Sequence, residues 1–429
     1  MMQKKSCLLF ILLLPVLLFA QETLQVNPIY KNTIHSVKMG VAGWEISYPV
    51  IELYSESQVQ LSFDDLSDEI QDYTYKIVHC NADWSRSDLA ENEYLEGFFE
   101  NQIPQPRASF NTMRKFYHYE LKLPNNDVQL KVSGNYMLMV YNDFNINEPI
   151  LSQRFSVYES KTQIFATAKR SILAKYSKTH QQVDFRVDLQ TLEIADPFSD
   201  ITIAVVQNNI WPLARTDLKP QFVQNKILIY EDPDENAYRG FNEFRMFDTK
   251  NLDYAGAGIA KIFFEDNDYY VRLLDDDDKR FKVYLNEKDI NGAYIVRNRE
   301  YDDHDVDSDY SRVYFYLPMP EPLTDGDLYI NGELCNWNLT ERNKMEYNYE
   351  KKAYQLMLIL KQGYYNYHYV FSNKQQKDYD PQRIEGSHFE TENNYLIYVY
   401  ARPFGSEYDH LVGFLNVNTV EDNQTIYEE

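Results

Sequence analysis

Apolar and polar side chains alternate with period two in one short run after another along this chain. YKIVHC (75–80), FYHYELKL (116–123), NYMLMVY (135–141) and RFSVYE (154–159) each place apolar residues on one face and polar residues on the other. Half-buried antiparallel strands have that pattern, because successive side chains in a strand point to opposite faces of the sheet. Pro124-Asn125-Asn126-Asp127 and Ser133-Gly134-Asn135 separate the runs with residues that tolerate tight or positive-φ turns. The chain has 37 Tyr and 24 Phe against only 14 Gly, a composition that suits pleated, half-buried surfaces. The expected fold class is therefore all-β, in tandem immunoglobulin-like or early-set β-sandwich modules.

A chain of 429 residues outgrows a single hydrophobic core. The pattern resumes in QQVDFRVDLQ (181–190), ITIAVVQN (201–208) and KILIYED (226–232), and again from RVYFYLP (312–318) through AYQLMLILKQGYYNYHYVFSN (353–373) to NYLIYVYARP (394–403). The expected division is a signal peptide over 1–20, a first sandwich over 21–160, a middle β domain over 161–300 and an early-set-like sandwich over 301–429. Gly134 and Gly363 each precede a Tyr-rich alternating strand late in a module, which suggests two copies of one architecture.

Two acidic stretches mark connections. YYVRLLDDDDKRFKVYLNE (269–287) reads as a hairpin whose loop carries Asp275 to Asp278, since four adjacent carboxylates repel one another and favour solvent. REYDDHDVDSDYSR (299–312) spaces Asp303, Asp305, Asp307 and Asp309 like calcium-loop ligands. Ser308 stands where that loop's sharp turn needs Gly, however, and Tyr314 where it needs a bidentate Glu, so a solvated charged linker is expected.

The first twenty residues, MMQKKSCLLFILLLPVLLFA, join Lys4 and Lys5 to an apolar run too short for a membrane span, as an export signal cleaved after Ala20 does. No later segment is long and apolar enough to cross a bilayer as a helix. Cys80 and Cys335 then remain, far apart in sequence, and two free or buried thiols are expected. The chain carries 42 Lys and Arg against 66 Asp and Glu, a formal charge of −24, which repels nucleic acid and anionic lipid.

His79, Cys80 and Asp83 in VHCNADW (78–84) bring together residue types used in metal and nucleophile chemistry. Alternation sends His79 and Cys80 to opposite faces, which separates any base from any nucleophile. No HxH, HExxH, CxxC, G-x-S-x-G or phosphate-cradling Gly loop occurs in the mature chain. Ala255-Gly256-Ala257-Gly258 lacks the strand-loop-helix setting of a phosphate loop and reads as a loop or bulge. The expectation is a protein with no catalytic residues, no cofactor and no metal, in which Asn81 and Asp83 cap the end of a strand and Ser87 or Asp88 starts a helical turn. The excursion from Asn81 to Phe110 is longer than a sandwich connection needs, and Asp83, Trp84, Tyr94, Phe98 and Phe99 are its candidate interaction residues.

Val78-His79-Cys80-Asn81-Ala82-Asp83-Trp84 is followed in order by Ser87-Asp88-Leu89, Glu93-Tyr94-Leu95-Glu96-Gly97-Phe98, Ser109-Phe110-Asn111-Thr112, His118-Tyr119, Leu123-Pro124-Asn125 and Ser133-Gly134-Asn135-Tyr136. This ordered set resembles the N-terminal domain of the type IX secretion system plug protein family of Bacteroidetes. Gln207-Asn208-Asn209, Leu218-Lys219-Pro220 and Asn242-Glu243-Phe244-Arg245-Met246-Phe247-Asp248 are similar to the same family. The resemblance implies a non-enzymatic periplasmic protein, peripheral to the outer membrane, that binds the periplasmic opening of the outer-membrane translocon barrel and seals it when idle. An alternative lies in the third region, where Gly332, Asn336, Trp337, Met345, Tyr347, Tyr364 and Tyr367 are similar to starch- and glycogen-binding early-set sandwiches. On that reading Trp337, Tyr364 and Tyr367 would stack on sugar rings, in a periplasmic carbohydrate-binding protein.

Overall fold

The structure is a computed structural model that describes residues 26–143, 145–375 and 377–420. The expected signal segment, 1–20, lies outside the described residues. Strands take up 46% of the chain and helix 6%, so the all-β expectation holds. Among the described residues the α-helices are single turns, such as Glu91–Tyr94 and His304–Asp307.

The first sandwich packs a four-stranded sheet, in the order Ile34–Val41, Val59–Asp65, Tyr117–Leu123, Arg107–Ala108, on a five-stranded one. The second sheet runs Val50–Glu52, Asn145–Tyr158, Gly134–Asn142, Tyr73–Cys80, Glu100–Gln102. Alternation does the sorting: Leu61, Phe63, Tyr119 and Leu121 face Tyr75, Ile77, Leu138 and Val140 in one core. Phe63 stacks on Tyr119 at 5.0 Å between ring centroids. Asp64, His118 and Glu120 occupy the opposite, outward face of the first sheet, with Asp64 directly across from His118.

The strand pairing departs from the expected boundary at residue 300. Strand Ile201–Gln207 of the middle region pairs with Asn394–Ala401, which pairs in turn with His410–Asn418. These three strands close a core over His180–Asp188 and Ile227–Tyr230, through Ile203, Val205, Val183, Phe185, Ile397 and Val399. The third core reaches back before residue 300, because Gly363–Asn373 pairs with Arg245–Asp248 and Tyr294–Val296. Local alternation says which residues make strands but carries no information about which strand a distant one will find. We propose the division 34–159, then 163–241 with 394–418, with 244–385 inserted into the second module.

The acidic hairpin expected over 269–287 does not form. Its first arm, Asp268–Leu273, pairs with Ile259–Glu265 on one side and runs parallel to Tyr310–Pro318 on the other. Asp276 is drawn inward and accepts hydrogen bonds from the hydroxyls of Tyr367 (2.7 Å) and Tyr369 (2.6 Å) and from Arg245 (2.9 Å). Arg245 also donates to Glu385, and the side chains of both are almost fully buried. Burial works against the guanidinium charge, and Glu385 and Asp276 more than restore it.

Candidate interaction site at the module junctions

The VHCNADW stretch ends strand Tyr73–Cys80, which pairs throughout with Gly134–Asn142. His79 and Cys80 do point to opposite faces, and both faces are covered. His79 lies against Tyr136 and Tyr94 in the first core, while Cys80 packs with Val78, Met137 and Trp84. The imidazole is fully buried, with Nδ1 2.9 Å from Ser87 Oγ and Nε2 3.2 Å from the Ser133 carbonyl. Burial lowers the pKa of His79 to about 4 and raises that of Cys80 to about 12. A neutral imidazole on one face and a protonated thiol on the other cannot form a nucleophilic pair.

The turn that follows is built as expected in one respect. Asp83 Oδ1 accepts from the Ser85 amide (2.9 Å) and hydroxyl (2.5 Å). Ser87 starts no helical turn, because its hydroxyl is used by His79. The turn begins after Ala90, whose amide donates to Glu93 at 2.6 Å. The tip of the loop docks on the returning C-terminal strands: Asp409 accepts from the Ala82 amide (2.9 Å), and Arg402 donates to the Asn81 side chain (2.7 Å). Trp84 is 5% exposed, edge-on to Trp211 of the second module at 5.0 Å, with the Arg154 guanidinium 4.4 Å from its ring.

Of the five loop candidates, the structure leaves two at the surface. Trp84 is buried at the module junction, and Tyr94 is buried in the first core with its hydroxyl on the Ile77 carbonyl (3.2 Å). Phe99 half-packs against that core, while Asp83 is exposed and Phe98 is 70% exposed. The loop is held down because its segments join sheets: Leu95–Gly97 pairs with Val128–Leu130, and Glu100–Gln102 with Tyr73–Cys80. The glycan candidates are corrected in the same way. Trp337 and Tyr367 lie inside the fold, 5% and 3% exposed, and Tyr364 is half-buried beside Lys250. The enclosed rings of Trp337 and Tyr367 have no face to offer a sugar.

A second junction joins the first sandwich to the insert and was missed in the sequence. The expected solvated linker around Asp303 to Asp309 is instead gripped by residues 107–114. Arg107 reaches Asp303 (2.7 Å) and Asp305 (2.8 Å), and the amides of Met113 (2.6 Å) and Arg114 (3.2 Å) donate to Asp309. Behind it, the fully buried Asp64 accepts from Lys361 (2.6 Å), the Tyr310 hydroxyl (2.7 Å) and His118 Nδ1 (2.7 Å). Burial alone would raise the Asp64 pKa, but Lys361 and His118 outweigh it and hold the carboxyl below its ordinary range. Beside this hub a cleft of about 310 Å³ opens between the two modules, lined by Lys38, Ser62, Tyr294 and Val296.

Residues 34–159 match the family model described as type 9 secretion system plug protein 1st domain. The first sandwich belongs to the family of type 9 secretion system plug protein 1st domains. The matched residues coincide with the first sandwich and end at its last strand. A crystallised hypothetical protein from Parabacteroides merdae is similar along nearly the whole chain. It is 36% identical, with 91% of this chain and 98% of that chain covered and a TM-score of 0.89. No curated protein matches. None of the described helices is long and apolar enough to cross a membrane.

Proposed function

We propose that this protein is a non-enzymatic periplasmic subunit that seats against the periplasmic opening of the outer-membrane translocon barrel and closes it while no substrate is engaged. The family match over residues 34–159 carries the reading. The construction of the molecule agrees with it. A seal must keep its shape under load, and here the modules are joined through buried charge and aromatic contacts rather than loose linkers. The excursion that begins at VHCNADW presents Phe98 and Phe110 to solvent, 70% and 69% exposed, and we assign these two rings to the barrel contact.

Affinity purification from native outer membranes tests the proposal. The protein should recover a very large β-barrel, and recovery without one sinks the reading. Phe98→Asp combined with Phe110→Asp should reduce barrel recovery at least tenfold while leaving the unfolding midpoint close to that of the parent. Unchanged recovery would move the contact to another surface.

A further inference from the structure

The junction between the first sandwich and the insert also gathers a histidine and two carboxylates at one point. We propose that His118, Glu120 and Asp305 form a binding site for a first-row divalent cation, Zn²⁺ above all, that clasps the two modules together. His118 and Glu120 stand two residues apart on strand Tyr117–Leu123 and so share its outward face. Asp305 comes from the single helical turn His304–Asp307, which the Arg107 and Met113 contacts press onto that face. One ligand atom from each residue lies within 4.8 Å of the other two, and His118 Nε2 is 3.9 Å from Asp305 Oδ2.

The histidine is what makes this more than a patch of acid. Its side chain is 7% exposed, and its Nδ1 is tied to Asp64, which Lys361 and Tyr310 fix from the other side. With Nδ1 on Asp64, Nε2 is the ring atom that faces Asp305 Oδ2 at 3.9 Å, and a cation placed there would meet both groups. A carboxylate behind a histidine that faces a metal is a recurrent arrangement, in which the carboxylate sets the tautomer and raises the basicity of the ligand. One imidazole and two carboxylates, with a position left for water, suit Zn²⁺, while the imidazole disfavours calcium and magnesium. Arg107 on Asp305 and Lys122 on Glu120, at 2.8 and 3.0 Å, lie on the rim and compete with the ion for these carboxylates, so binding requires both long side chains to swing toward solvent.

The test uses the full mature chain stripped with a chelator, titrated calorimetrically with Zn²⁺ and read optically with Co²⁺. Glu120→Gln is the main variant, because Glu120 is half-exposed and its loss leaves the core intact; His118→Gln is the second. The expected result is one ion per chain, binding at least about tenfold weaker in each variant. Zn²⁺ should also slow proteolysis within 299–309 in the parent and not in Glu120→Gln. Absent binding, equal affinity in the parent and both variants, or protection that persists in Glu120→Gln would overturn the proposal.

Discussion

At the scale of single residues, the strongest constraints are charges and glycines that the interior has closed around. Glu385→Ala leaves the Arg245 guanidinium buried with Asp276 as its remaining carboxylate, and we expect a loss of roughly 3–5 kcal/mol in urea denaturation. Gly134 has φ +144, and a Cβ there would come within 2.3 Å of His79 Nε2. Gly134→Ala should therefore destabilise the fold by about 1–3 kcal/mol, with the defect centred on the His79 pocket. His79 also links stability to pH. Its folded pKa of about 4 lies below the ordinary value of 6.5, so as pH falls from about 6.5 to 4 the unfolded chain takes up a proton that the folded chain refuses. Its contribution is intact above pH 6.5 and falls by about 2 kcal/mol by pH 5. Glu243, raised to about 7 by burial, and Asp289, raised to about 6, act in the opposite sense over part of that range. The informative measurement is the difference between parent and His79→Gln: denaturation at pH 7.5 and 5 should show a smaller acid loss in the variant.

At the scale of strands, alternation located several of them. Strands Tyr117–Leu123, Gly134–Asn142, His180–Asp188 and Ile201–Gln207 fall where the period-two runs stand. Pairing was not legible, because a strand's face pattern is satisfied by any neighbour of matching polarity. The second arm of the expected hairpin alternates as well as the first, yet the first found Ile259–Glu265 and the second left Phe281 and Val283 about 90% exposed. The same limit explains the candidate residues. An aromatic near a loop looks alike in sequence whether it faces solvent, as Phe98 does, or a second module, as Trp84 does. The clue that could have located the hidden junction was the spacing of Asp303, Asp305, Asp307 and Asp309, whose partners come from residues 107–114 in another module. The shared middle sheet makes a further prediction at this scale. A chain ended at residue 393 uncovers Ile203, Val205 and their apolar neighbours along one edge, and should aggregate or bind hydrophobic dyes where the full chain does not.

At the scale of the whole molecule, the two kinds of ionic contact between modules should respond differently to salt. Arg107 and its partners are about half exposed and contribute little once screened, whereas Lys361 and Asp64 are each about 1% exposed and largely escape screening. Solution scattering in 1 M NaCl should therefore give the same radius of gyration as at low salt; an expanded particle would mean that surface pairs hold the modules together. The pairing of Ile201–Gln207 with the late strand Asn394–Ala401 has a consequence for the order in which the chain can fold. A polypeptide emerging from its N-terminus can complete the first core by about residue 159 and the inserted core by about residue 385. The middle core must wait for Asn394–Ala401 and His410–Asn418. The earliest part of the second module thus stands unfinished through most of synthesis, and the last strands to appear both seal it and carry Arg402 and Asp409 to the Asn81 turn, so the junction at Trp84 closes only when the chain is nearly complete.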